Sequence, residues 1–233
     1  MKFRPWLSVL ATAAIFTSVS TPSGATSKST PYEQMKRVVA DANAELSVRV
    51  TTTASMSGLR IVQVTDAGRN AGRQIVTLSQ SGTSNSVIAE LIKGKLYVKG
   101  DATILTRYMG LSQANANELG GQWFGIPESS GYYAQVAQGL TISTGMSEVT
   151  MTSSVAVAPA ATLAGVKVDV LKGISVKSTL EPSFKETLYF STAKRPLPVE
   201  VTQSVQGSLG TIVFSRWNET IVLVAPKVTL NLN

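Results

Sequence analysis

Apolar residues recur along this chain at two periods, and each change of period marks an element. Met35, Val38, Val39 and Ala42 follow Thr30-Pro31-Tyr32-Glu33, a capping box with proline at N1, at helical spacing. They predict a helix from about Pro31 to Asn43 that packs by one face. The period then falls to two. Leu46 to Thr53 is rich in Val and Thr, Leu59 to Thr65 carries Ile61, Val62 and Val64, and Gln74 to Ser79 and Val87 to Ile92 follow the turn Asp66 to Gly72. Short alternating runs with Gly, Asn and Asp at the breaks predict an antiparallel meander.

The stretch Ile92 to Pro127 changes period twice. Lys95-Leu96-Tyr97-Val98-Lys99 alternates as a half-buried strand between Gly94 and Gly100. Asp101 reads as an N-cap, and Ile104, Leu105, Tyr108 and Met109 form an apolar helical stripe closed by Gly110. A polar segment, Ser112 to Glu118, leads to a second strand, Gln122 to Ile126. A helix inserted between strands of a sheet with one apolar face has to cover that face, so this excursion is expected to be a lid that bends at Gly100 and Gly110. Alternation places Lys93, Lys95, Tyr97 and Lys99 on one side of the strand, near the lid. They read either as a solvated, edge-protecting face or as a rim that attracts anionic headgroups.

Ser130 to Gln138 predicts a further helix with Tyr132, Tyr133, Val136 and Ala137 on one face, ended by Gly139. Thr141 to Met151 fits a short helix from Gly145 or a loop equally well. Val155 to Leu163 is broken by Pro159 and suits an edge strand or a bent connection. Thereafter Val166, Val168 and Val170, then Leu188 and Phe190, then Val199, Val201 and Val205, then Ile212 and Phe214 occupy alternate positions of successive strands, and Val228, Leu230 and Leu232 end the chain. Ten or eleven strands and three or four helices are expected, in one α+β domain spanning 26–233. The alternating apolar residues would make either a solid core or the lining of a cavity, which look alike before packing is seen.

Composition narrows the function. Lys2 and Arg4, the apolar run Trp6 to Val19 and the small residues of Ser23-Gly24-Ala25 predict a signal peptide, 1–25, cut before Thr26. The chain has no cysteine and no histidine. That excludes disulfides, an N-terminal lipidated cysteine, Ser-His-Asp and Cys-His catalysis, and the usual zinc sites. Without Lys2 and Arg4, 19 basic residues face 14 acidic ones, a net charge of +5 spread without the clusters of a nucleic-acid binder. Ser191-Thr-Ala-Lys194 matches S-x-x-K, but S-D-N and K-T-G partners are missing, and Asn218-Glu-Thr220 is a chance-frequency sequon.

Glu186-Thr-Leu-Tyr-Phe-Ser, Arg195-Pro-Leu-Pro-Val-Glu-Val, Gly210-Thr-Ile-Val-Phe-Ser-Arg-Trp-Asn and Val224-Ala-Pro occur in an order that resembles the LppX/LprG-type envelope lipoproteins of actinobacteria, more distantly the LolA-like carriers. Lys95-Leu-Tyr-Val-Lys-Gly-Asp and Gly121-Gln-Trp look like that family's strand, lid and return strand. The resemblance spans about Leu46 to Leu230 and departs at the missing lipobox cysteine. It implies a strongly curved antiparallel sheet, an unclosed half-barrel, with helices in its concave face and acyl chains between.

The resulting expectation is an exported, non-catalytic lipid-binding protein without a cofactor, which touches membranes transiently at most. Its cavity and lid would be lined by the apolar positions named above. The rival expectation is an envelope module of the same fold that binds a partner protein.

Overall fold

In the computed structural model the described residues are 29–147, 149, 151–175, 183–205, 208–228 and 230–232. The expected signal peptide lies outside them. All strands join one sheet of twelve in the order β12-β6-β5-β4-β3-β2-β1-β11-β10-β9-β8-β7. The central meander is β1 (Ser47–Met56), β2 (Leu59–Gly68), β3 (Gly72–Gln80), β4 (Thr83–Ile92) and β5 (Lys95–Gly100). The second half adds β7 (Ser153–Leu163), β8 (Val166–Ser175), β9 (Phe184–Ser191), β10 (Pro198–Val205) and β11 (Ser208–Ser215). The halves meet where β11 pairs with β1, Val50 opposite Phe214. Pairing is antiparallel apart from β12 (Leu230–Asn231), which lies parallel to β6 (Phe124–Ile126). The sheet does not close, since β7 and β12 end the order. Among the described residues one more strand is present than the upper expectation, and the alternating Val228, Leu230 and Leu232 yield only the two-residue pairing of β12.

Helices cover one face. α1 (Pro31–Asn43) has the predicted bounds, and Thr30 and Glu33 exchange both capping-box bonds. Between β5 and β6 run α2 (Ala102–Ile104), a π-helical turn (Leu105–Met109) and α3 (Gln113–Leu119). The segment read as merely polar is thus a helix. Ser112 caps it, and Ala116 and Leu119 are the apolar contacts it buries, too few to show as a period. α4 (Tyr133–Ala137) is shorter than predicted. α5 (Ile142–Met146) starts earlier than Gly145, because Thr141 caps it through the backbone of Thr144.

The buried apolar residues form two clusters on the concave face. The first joins β3–β6 to α2, the π-turn, α3 and α4 through Val76, Val87, Val98, Phe124, Ile104, Leu105, Met109 and Val136. The second joins β1 and β8–β11 to α1 and α5 through Val48, Leu171, Leu188, Val201, Phe214, Met35, Val38 and Met146. Between them the connector before α5 presses on the sheet: a Cβ on Gly72 would stand 1.9 Å from the Leu140 carbonyl oxygen. Only glycine admits backbone that close.

Candidate functional site

The lid is seated. The Asp101 carboxylate accepts from the Ile104 amide at 2.9 Å, starting the excursion as expected. Ile104, Leu105 and Met109 are buried, Tyr108 is half-buried against the same cluster, and Thr103 and Arg107 are exposed. Gly110 takes the left-handed φ of 74° that closes the excursion, whereas Gly100 has no positive φ. A Cβ there would lie 2.8 Å from Ile104 Cγ2, so Gly100 is small because the lid packs on it. The π-turn widens the lid where it meets the sheet, a distortion common at functional sites.

A buried polar seam ties the lid to the middle of the sheet. The Tyr108 hydroxyl donates to Gln74 Oε1 at 3.0 Å, and Gln74 Nε2 donates to the Thr65 hydroxyl at 3.3 Å. Burial pushes the Tyr108 phenol up to about 12, so it stays a donor throughout the ordinary pH range. Gln135 Nε2 donates to the Tyr108 carbonyl at 3.3 Å, joining α4 to the same seam.

Beyond this seam the described residues leave the concave face partly uncovered. Cross-strand pairing puts Ala54, Ile61 and Leu78 in one row and Met56, Leu59 and Gln80 in the next. They share the face of the buried Val50 and Val76, yet Ala54, Met56, Leu59, Ile61 and Leu78 are only half-buried. This half-exposed apolar strip is termed the trough; Ile61 and Leu78 within it pack against the first cluster. Two cavities, of about 370 Å3 and 240 Å3, lie along α1. The larger is lined by Met35, Val39, Val149 and Met151, with Lys36 held 4.6 Å over the Tyr32 ring at its edge.

The sequence-predicted lining residues are divided by this arrangement. Ile104, Leu105, Tyr108, Met109, Tyr132, Tyr133 and Val136 belong to the first cluster or pack on it. Leu188, Phe190, Val201, Ile212 and Phe214 belong to the second. Val166, Val168 and Val170 need correcting. Leu171 is in the second cluster, so alternation turns the three valines to the opposite face; Val168 and Val170 are buried there and Val166 is 55% exposed. The polarity pattern pointed the wrong way here, because Lys167 and Asp169 share the concave side with Leu171, Asp169 lining the smaller cavity beside α1. Val199 falls at the β10 bulge between Pro198 and Glu200 and joins neither cluster, and the side chain of Val205 lies outside the described residues.

The lysines move as well. Lys93 has φ 52° and forms the β4–β5 turn with Gly94. Lys95 and Lys99 are exposed on the convex face, opposite the buried Leu96 and Val98, and so do not rim the concavity. Ser191 and Lys194 have structural roles: Ser191 Oγ accepts from the Leu197 amide at 3.0 Å, and the Lys194 carbonyl accepts from Arg37 at 2.7 Å. Asn218 of the sequon bonds the Leu46 amide and the Glu45 carboxylate.

The trough floor and the seam were missed in the sequence. Their signal was present as Gln63 and Gln74, single polar residues at inward positions of apolar strands. Among the described residues no group of acidic side chains could hold a metal ion, and no helix is long and apolar enough to cross a membrane.

An open twelve-stranded half-barrel with helices filling its concave face is the fold that the LppX/LprG resemblance implied. Crystal structures of LprF from Mycobacterium bovis and of the lipoprotein LppX from Mycobacterium tuberculosis share it. LprF matches with a TM-score of 0.54 at 10% identity, over 84% of this chain and 96% of its own. LppX matches with a TM-score of 0.52 at 13% identity, over 82% of this chain and 97% of its own. At such identities the likeness is one of fold. No protein-family profile and no curated protein sequence matches the chain.

Proposed function

We propose that this chain is an exported, non-catalytic lipid-binding protein that holds acyl chains in the trough, with the lid Asp101–Met109 closing over them. Residues 1–25 act as the signal peptide and the remainder as one binding domain. The observation that carries this reading is the half-exposed floor of Ala54, Met56, Leu59, Ile61 and Leu78, apolar surface kept on a concave face where a core would bury it. The fold shared with the lipoprotein LppX supports it. Each methylene withdrawn from water contributes about 0.8 kcal/mol, so a long acyl chain needs little polar recognition and specificity is loose. The lid stripe is already packed on the sheet, so entry requires it to lift by breaking the Tyr108–Gln74 bond.

That same packing favours a second reading, a protein-interaction module, since the fold is complete without a lipid. Native mass spectrometry of protein from its own host, followed by lipid extraction, separates the two. Co-purifying lipid that Ile61→Arg abolishes without unfolding supports the carrier. Lipid-free protein that takes up no fatty acid or phospholipid overturns it.

A further inference from the structure

The chain's last segment crosses the back of the sheet, and it is built to touch something. After β11, Asn218 donates its amide to the Ser47 carbonyl at 2.9 Å, and Ser47 Oγ bonds the Glu219 carbonyl. A Cβ on Gly68 would meet Ile221 Cδ1 at 3.6 Å, and one on Gly125 would meet Val228 Cγ1 at 4.0 Å. Ser47, Gly68 and Gly125 all point to the convex face, since their neighbours Val48, Ala67, Phe124 and Ile126 fill the concave one. Residues 221–228 therefore run behind β2 to β6. Seven extended steps reach about 23 Å, against about 19 Å for four inter-strand spacings, so the strap is nearly taut; its side chains alternate inward and outward up to Val224 and resume in the other phase from Pro226.

Inward, Ile221 and Leu223 are half-buried. Behind them a ladder of charges is neutralised within itself: Arg49 pairs with Asp66 at 2.6 Å and Arg73 with Glu90 at 3.3 Å. Outward, Val222 is 79% and Val224 81% exposed, and Leu46, also exposed, lies at the strap's start. At its far end stand Lys227, beside Val228, and Lys95 and Lys99, which flank Tyr97, the residue opposite Gly125. All three lysines are exposed, and among the described residues none enters an ion pair. Glu128, beside the Gly94 turn, offsets one of these charges and the turn's Lys93 restores it.

We propose that this strap is a docking strip for an anionic bilayer surface, with Val222 and Val224 entering the headgroup boundary and Lys95, Lys99 and Lys227 meeting anionic lipids. Exposed valines alone would fit any apolar partner. The lysines at one end, in a chain whose net charge without residues 1–25 is +5, select an anionic one. This inference stands whether or not the concavity holds lipid.

The chain has no cysteine, so single-cysteine labelling is unambiguous. A polarity-sensitive fluorophore on Val224→Cys should shift to the blue with vesicles of equimolar phosphatidylcholine and phosphatidylglycerol. The same label on Val157→Cys, on the distant edge strand and 64% exposed, should not respond. High salt should reverse the shift. Lys95→Glu with Lys99→Glu should weaken vesicle binding about tenfold or more. No shift at position 224, an equal shift at both positions, or an equal response to purely phosphatidylcholine vesicles would each overturn the proposal.

Discussion

The two clusters on the concave face are built in opposite ways. The lid cluster is local: apart from Leu232 its buried residues lie between Val76 and Ile126, with Val136 and Leu140 following directly. The α1 cluster joins the start of the domain to its far half, Met35 and Val38 meeting Leu171, Leu188 and Val201 across the sheet. A local cluster can open by a hinge at its own ends without disturbing distant strands. A cluster joining remote segments can open only by undoing the fold, because its contacts close the longest loops of the chain. On this ground the lid side is expected to move and the α1 side to hold still, an expectation that hydrogen exchange tests.

The sharpest way to break this comparison is to cut equally deep into both clusters. Leu188 and Leu105 are both fully buried, and truncating either to Ala should cost about 2–5 kcal/mol. For Leu188→Ala the whole loss should appear in urea unfolding, with faster hydrogen exchange throughout β8–β10. For Leu105→Ala exchange should accelerate chiefly in 101–119 while the β8–β10 amides stay slow. Equal, global acceleration in both variants would mean that the clusters form one cooperative unit and that the lid is ordinary core.

A smaller cut tests the seam between them. Tyr108→Phe keeps the ring but leaves buried Gln74 Oε1 without its donor, at about 1–3 kcal/mol. Since this bond holds the lid to the middle of the sheet, the variant should take up a fluorescent fatty acid faster than wild type. Uptake at an unchanged rate would show that the lid does not gate the trough.

What the sequence disclosed follows the same division. The capping box at Thr30, the Asp101 cap and the stripe Ile104 to Met109 are signals within a few residues, and the structure has them where the pattern put them. The strands of the meander were equally plain. Facing was legible only where one face is polar. At Val166 to Leu171 even that failed, since Lys167 and Asp169 share the concave side with Leu171, so the inward side could be learned only from cross-strand neighbours. The two-cluster division, the glycine approach at Gly72 and the strap behind β2 to β6 are long-range pairings without a local trace. The half-roofed trough is a property of what does not cover it, which no single stretch of chain can record.

Helix caps give a finer comparison. Thr30→Ala removes the hydroxyl that accepts from Glu33 at the start of α1, and Asp101→Ala removes the carboxylate that starts the lid. Each should cost about 1 kcal/mol. The first should lower the thermal midpoint of the whole domain, whereas the second should be felt mainly as easier local exchange in the lid. If Asp101→Ala lowers the midpoint as much as Thr30→Ala, the lid is bound into global unfolding.

The smallest expected effect lies behind the lid cluster, where Glu90 of β4 is turned to the convex face beneath the strap. Burial raises its carboxyl above the ordinary 4.5, and Arg73 opposes this only in part. The sign follows from proton linkage: a group whose folded pKa is raised binds its proton more tightly in the folded state. The stability it supplies is fully present below the unfolded value and is lost as pH rises through the folded one. Glu90→Gln should therefore remove a decline in stability that begins near pH 4.5 and ends just above the raised value, leaving the variant at least as stable as wild type at neutral pH. Urea midpoints of the two proteins across that range measure it directly. A variant less stable at neutral pH would show that the Arg73–Glu90 pair outweighs the cost of burying the carboxylate, and that the charged ladder helps to hold the back of the lid side together.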